Sequence, residues 1–190
     1  MEDEQIEEVE QVKTPLQHAV KFGGIVGMVS AILTILLYVI DPALMVNMWL
    51  GLSLLAIFLG LVIYGGISYR KEIGGYIEFG PAYIHGFVVL VIMGIIGLAI
   101  NLLLHNVIDT SLKDTLTEVS LEQTGNMMEK FGAPQDAIDE ALEEQRGKAE
   151  DQFSNMGLLK GFFIGIIAYA VIALITGLIV RRREKVSDVY

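Results

Sequence analysis

Four long apolar runs, approximately over residues 20–40, 48–69, 81–104 and 161–180, constrain the fold of this 190-residue chain more than any other feature. Each holds about the 20 residues that an α-helix needs to cross a hydrocarbon core. A soluble four-helix bundle would instead carry a polar face on every helix, yet the fourth run has no Asp, Glu, Lys or Arg at all. With 53% hydrophobic residues and a mean hydropathy of +0.56, the chain is too apolar for an ordinary soluble domain. The expected fold class is all-α: an integral membrane four-helix bundle with a short-helix extracytoplasmic cap between spans three and four.

Apart from Lys21 at the start of the first, the charged residues lie outside those runs, and they are unevenly spread. The net charge is −10; six acids crowd into the first ten residues, and twelve acids face four bases over residues 109–151, a local balance of −8. Such acidity opposes nucleic acid and anionic lipid as partners. The chain thus divides into an acidic tail at 1–14, a membrane domain at 15–183 with a helical insertion at 109–156, and a short tail at 184–190. The first tail lacks hydrophobic periodicity and reads as disordered and cytoplasmic. Its charge is opposite to that of a secretory signal and no cleavage site follows Ile40, so the first span is expected in the mature protein. The absence of cysteine rules out disulfides and thiolate metal sites.

Basic residues near the spans set an expected direction. Lys13, Lys21, Arg70, Lys71, Arg181, Arg182, Arg183 and Lys185 fall on one side, against Lys113 and Lys160 on the other. Both termini are therefore expected in the cytoplasm and the acidic loop outside it. Tyr38 and Trp49 would belong to the outer aromatic belt, and Tyr64, Tyr69, Tyr76, Phe79 and Tyr83 to the inner one.

Within the loop, Leu112, Leu116 and Val119 recur at i, i+4 and i+7, which predicts a short amphipathic helix. Gly125 and Gly132 read as punctuation after it. Pro134 suits the first turn of a second helix, with Asp136, Asp139 and Glu140 near its N-terminus and Ile138, Ala141, Leu142, Ala149 and Phe153 on one face. Met127 and Met128 read as apolar filling rather than copper ligands.

Small residues at four-residue spacing mark surfaces where helix backbones approach closely in lipid. Gly157, Gly161, Gly165, Ala173 and Gly177 share one register in span four, Gly23 and Gly27 in span one, and Ala56 and Gly60 in span two. Packing within the bundle and a homo-oligomer seam both fit this pattern. Among ionisable groups, Glu78 and His85 lie seven apart and would share a face of span three near His18, as a titrating pair at the inner surface. Asn101 and His105 share a face at the other end, where a helix-end hydrogen-bonding role is expected because the ligand count falls short of a metal site. The basic triplet at 181–183 reads as an orientation signal, with anionic lipid as its other use. No HExxH, GxSxG or P-loop is present. No catalytic, metal or cofactor-binding residue and no cofactor is expected.

Three features together give the chain a resemblance: the run Lys21-Phe22-Gly23-Gly24-Ile25-Val26-Gly27, the pattern Gly-Gly-Tyr-x-x-Phe-Gly-x-Ala over 74–82, and an acidic, Met-containing helical insertion before a terminal span. In these it resembles a bacterial membrane protein family, mostly of the Bacteroidota, known as domain of unknown function 4199. That resemblance implies an inner membrane and a periplasmic loop, and carries over no site residue. The function expected is that of a non-enzymatic structural, accessory or partner-binding protein acting through the acidic loop, with the bilayer, a protein partner and further copies of itself as partners. A small oligomeric transporter or channel is the alternative.

Overall fold

In the computed structural model, which describes residues 14–183, the first helix starts ahead of its apolar run. Thr14 and Gln17 form a capping box, with the Gln17 N–H donating to Thr14 Oγ1 at 3.2 Å and the Thr14 N–H to Gln17 Oε1 at 3.0 Å. Pro15 follows at the first helical position, where a missing N–H costs nothing. Helix α1 therefore spans Pro15–Ile40. Thr14, placed in the acidic tail by composition, is in fact its cap; residues 1–13 and 184–190, the rest of the expected tails, lie outside the described residues.

Local chemistry sets the next boundaries as well. Asp41 ends α1, and its carboxylate accepts from the Ala43 N–H at 2.9 Å, opening a 3₁₀ turn at Pro42–Val46. Asn47 Oδ1 accepts from the Leu50 N–H at 2.9 Å and caps α2, Met48–Glu72. Beyond α2, Gly74 and Gly75 adopt φ of +100° and +88°, a region that side chains with a Cβ rarely enter. The turn they make brings Ile77 opposite Arg182, and the two residues exchange backbone hydrogen bonds of 3.0 Å in both directions. This backbone clamp ties the start of α3, Phe79–Leu103, to the end of the last helix.

A single π-type turn at Leu104–Ile108 closes α3. Then come α4, Leu112–Lys130, α5, Gln135–Gln152, and α6, Asn155–Val180. Gly125, expected as punctuation, lies inside α4. A mid-helix glycine costs about 1 kcal/mol, and here Leu142 and Ile138 of α5 pack over the space it leaves. The break falls instead at Gly132, φ +78°.

Four of these helices are long and apolar enough to cross a membrane. Helix α3 is the central one, packed along α1 on one side and α6 on the other, with α2 leaning on α6. Two glycines explain why it is central. A Cβ on Gly23 of α1 would stand 3.1 Å from Val89 Cα, and one on Gly177 of α6 would stand 3.2 Å from Tyr83 Cα. Each gap lets a neighbouring backbone close on α3, as association in lipid requires. Ala19, Val62, Val89, Leu90 and Ala173 form the core between them. Ile32, Leu36, Leu55, Ile57, Ile164, Ile167 and Leu178 remain exposed on the outer faces, an apolar girdle that suits hydrocarbon.

Helices α4 and α5 form a hairpin over the end of the bundle opposite the clamp. Leu112, Leu116 and Phe153 bury themselves with Leu104 against Tyr38, Met45 and Val46, seating the hairpin on the ends of α1 and α3. Glu118 and Arg146 pair across the two hairpin helices.

Candidate functional site

One buried polar cluster stands out at the clamp end, assembled from three helices. His18 lies one turn inside the start of α1, His85 two turns inside α3, and Tyr69 and Glu72 share a face of the last turn of α2. His85 is fully buried. His18 Nδ1 and His85 Nε2 face each other at 2.9 Å, and His18 Nε2 lies 3.4 Å from Glu72 Oε1. The rings are held flat on one another. Tyr69 stacks on His85 at 5.5 Å with planes 8° apart, and Phe22 stacks on His18 at 6.0 Å.

The 2.9 Å contact is one hydrogen bond between the two imidazoles, with the donor set by their tautomers. The 3.4 Å contact of His18 with Glu72 is an ion-pair approach. His85 Nδ1 is buried and has no hydrogen-bond partner among the described residues.

The residues singled out from sequence distribute as follows. Glu78 caps α3 with its backbone alone and is exposed, lining a groove of about 590 Å³ with Arg181, Arg182 and Arg183. It does not join His85; the carboxylate in the cluster is that of Glu72. Sequence reasoning missed Glu72 and Tyr69. Their three-residue spacing was visible, but their meeting with His18 depends on how α2 packs. In that groove Arg182 lies 5.8 Å above the Tyr76 ring, and nearby Arg70 donates to Val180 O at 2.7 Å.

The small-residue register of α6 splits. Ala173 and Gly177 pack on α3, and Gly157 packs on the carbonyls of Asp151 and Gln152. No neighbouring helix lies within 4 Å of a Cβ placed on Gly161 or Gly165. Gly161 instead lines a cleft of about 600 Å³ among α1, α2, α3 and α6, with Ser30, Phe58, Asn101 and Tyr169 also on its walls. At the hairpin end, Asn101 Nδ2 donates to Gly97 O at 2.9 Å and His105 Nδ1 to Asn101 O at 2.8 Å, so both bond to carbonyls of their own helix end. Asn106 and Asn155 exchange amide hydrogen bonds of 3.0 and 2.7 Å between the π-type turn after α3 and the start of α6. Among the described residues no three His, Asp or Glu side chains converge as a metal-ligand set.

Electrostatics on the hairpin are those of a solvated surface with local pairs. The Arg146 guanidinium, by hydrogen bonding first and by its charge second, holds the Glu118 carboxyl below the usual carboxylate range. The Ser111 hydroxyl bonded to Asp109 does the same there, with backbone N–H groups adding to it. At the hairpin turn Phe131 is 84% exposed, beside the half-exposed Met127.

No curated protein and no solved structure matches this chain. A family model described as "Protein of unknown function (DUF4199)" matches residues 21–182, a stretch that includes the histidine at 85, the glycine turn, the hairpin and nearly all of the four long helices. The chain belongs to that family.

Proposed function

We propose that this is a non-enzymatic multi-pass protein of a bacterial inner membrane, both termini cytoplasmic, that binds a protein partner through its α4–α5 hairpin. The observation carrying this reading is the hairpin turn. Phe131 and Met127 stand exposed there on a support whose surface is otherwise acidic, and the hairpin's own core is spent on seating it against the bundle. Phenylalanine and methionine are both enriched in the buried cores of protein interfaces. The direction across the membrane is supported by Arg70, Lys71, Arg181, Arg182 and Arg183 at the clamp end against an acidic hairpin end. The non-enzymatic part is supported by the placement of the histidines. The grooves of about 590 and 600 Å³ are lined by neither His18 nor His85.

A photo-crosslinking residue at position 131 tests the reading. Protein adducts from intact cells that vanish when the photoreactive residue is moved to Glu122 are the expected result; adducts to lipid alone, or none, would sink it. A small oligomeric transporter or channel is the second reading, supported by the cleft that opens among the four long helices beside Ser30 and Asn101. It requires flux in proteoliposomes, and a monomer inert to every tested solute would end it.

A further inference from the structure

We propose that the cleft of about 600 Å³ among α1, α2, α3 and α6 binds a quinone-class molecule drawn from the bilayer. Helix α2 makes its close approaches at the clamp end, where a Cβ on Gly65 would meet the Phe22 ring of α1 and one on Gly66 the Val180 side chain of α6. Toward the hairpin end Leu55, Phe58 and Leu59 of α2 face the cleft instead. The core of Val62, Val89, Leu90 and Ala173 closes its floor, so whatever enters comes from the lipid side or from the hairpin end. No Asp, Glu, Lys or Arg lines the cleft, which selects a neutral occupant. A void of this size among apolar side chains is not left empty in hydrocarbon, because close packing is the rule there.

Two hydroxyls say what kind of molecule fits. Tyr169 of α6 turns its ring toward the hairpin end, with its phenol oxygen 2.9 Å from where a Cβ on Gly94 would stand and 3.5 Å from one on Gly165. Ser30, Gly94 and Gly165 each lie about ten residues from the hairpin end of their helices, which sets all three about 15 Å deep at a rise of 1.5 Å per residue. The Ser30 and Tyr169 hydroxyls therefore stand at one level on different walls, about halfway through a hydrocarbon core. Elsewhere in the long helices Thr34, Ser53 and Thr176 donate to carbonyls of their own helix, the local way to satisfy a hydroxyl. Neither the Ser30 nor the Tyr169 hydroxyl has a hydrogen-bond partner among the described residues. A donor left bare at this depth is costly, and an acyl chain in the cleft would leave both bare. A phospholipid keeps its ester oxygens at the interface, and the carboxylate of a fatty acid would meet no cation here. A ring carbonyl is neutral, accepts a hydrogen bond and sits in a flat frame that suits the aromatic walls of Phe58, Phe162 and Tyr169. The inference concerns binding alone and is independent of what the hairpin binds.

Tryptophan fluorescence reads the occupancy, because a quinone quenches an indole on contact. The single tryptophan of the chain, Trp49, is 77% exposed and lies off the cleft. In the full protein in phosphatidylcholine nanodiscs it reports only the decylubiquinone dissolved in the lipid. Leu55→Trp in a Trp49→Phe background moves the indole to the cleft wall. The expected result is quenching that saturates at position 55 and stays linear at position 49. Tyr169→Phe, which keeps the ring and loses the hydroxyl, should raise the half-saturating quinone fraction about three- to tenfold, the scale of one hydrogen bond. Gly97→Leu and Gly161→Leu add a side chain where no atom lies within 4 Å of the new Cβ, and each should fill the cleft and remove the saturable phase. Linear quenching at both positions, an unchanged half-saturation in Tyr169→Phe, or a saturable phase that survives both leucine variants would each overturn the site. Displacement of the quinone by dodecane would overturn it too, by marking a slot for any alkyl chain.

Discussion

At the scale of single residues, spacing in the sequence and contact in the structure part company most clearly along α6. Gly157, Gly161, Gly165, Ala173 and Gly177 share one helical register, yet only the last two pack against α3. A side chain added at Gly177 would meet the Tyr83 backbone, which cannot turn aside, whereas the space around Gly161 is open. Gly177→Leu should therefore cost about 1–3 kcal/mol through overpacking. Gly161→Leu should lose nothing and should gain up to about 1 kcal/mol by removing a mid-helix glycine. Thermal unfolding of the two variants in one detergent compares them directly; equal losses would mean that the α3–α6 approach is not set by Gly177. The histidine cluster teaches the same lesson. Glu78 and Glu72 lie close in sequence to the residues at issue, and both sit near the surface. Only the leaning of α2 decided that Glu72, not Glu78, meets an imidazole.

At the scale of elements, the hairpin is the segment whose stability depends on its own few contacts. Leu116 is almost fully buried in the small core that seats it, and Leu116→Ala should cost about 2–4 kcal/mol there. Protease should then cut α4 faster while the four long helices stay inserted. Acid should loosen the same segment. The Glu118 carboxyl titrates below its ordinary value of 4.5 because of Arg146, so the pair's contribution is present above that value and lost as the pH falls through the lowered one. Amide protection across α4 and α5, corrected for the intrinsic exchange rate at each pH, should fall between neutral and acidic pH, and the part of that fall due to the pair should be missing in Glu118→Gln. The ends of α1 and α2 are set by Asp41, Asn47 and the Gly74-Gly75 pair, because capping and positive φ are local chemistry. The continuity of α4 through Gly125 is not set locally, since it rests on Leu142 and Ile138 of the facing helix.

At the scale of the whole molecule, the bundle has two unlike ends: one clamped by the Ile77–Arg182 pairing and rich in arginine, the other covered by an acidic hairpin. The chain has no native cysteine, so single cysteines can be read without background. Substitution at Met48 and Glu129 should be labelled by an impermeant reagent from outside the cytoplasm, and substitution at Lys71 and Arg183 only after the membrane is opened. The reverse pattern would overturn the orientation proposed from the basic residues. Contacts between the two ends are mediated by α3, which carries His85 near one end and His105 near the other, about 30 Å apart along a 1.5 Å rise per residue.

The sequence by itself determined what depends on composition and on near neighbours: four helices long enough to cross a bilayer, their capping signals, the acidic insertion between the last two and the family. These follow because hydrophobic length and backbone capping are properties of short segments. The tertiary structure alone decided which helix is central, which glycines face a neighbour, and which acid stands beside the histidines. Those outcomes depend on interhelical approach, where in lipid a fraction of an ångström at Gly23 or Gly177 decides the packing, and where the pairing of His18 with His85 joins residues 67 positions apart.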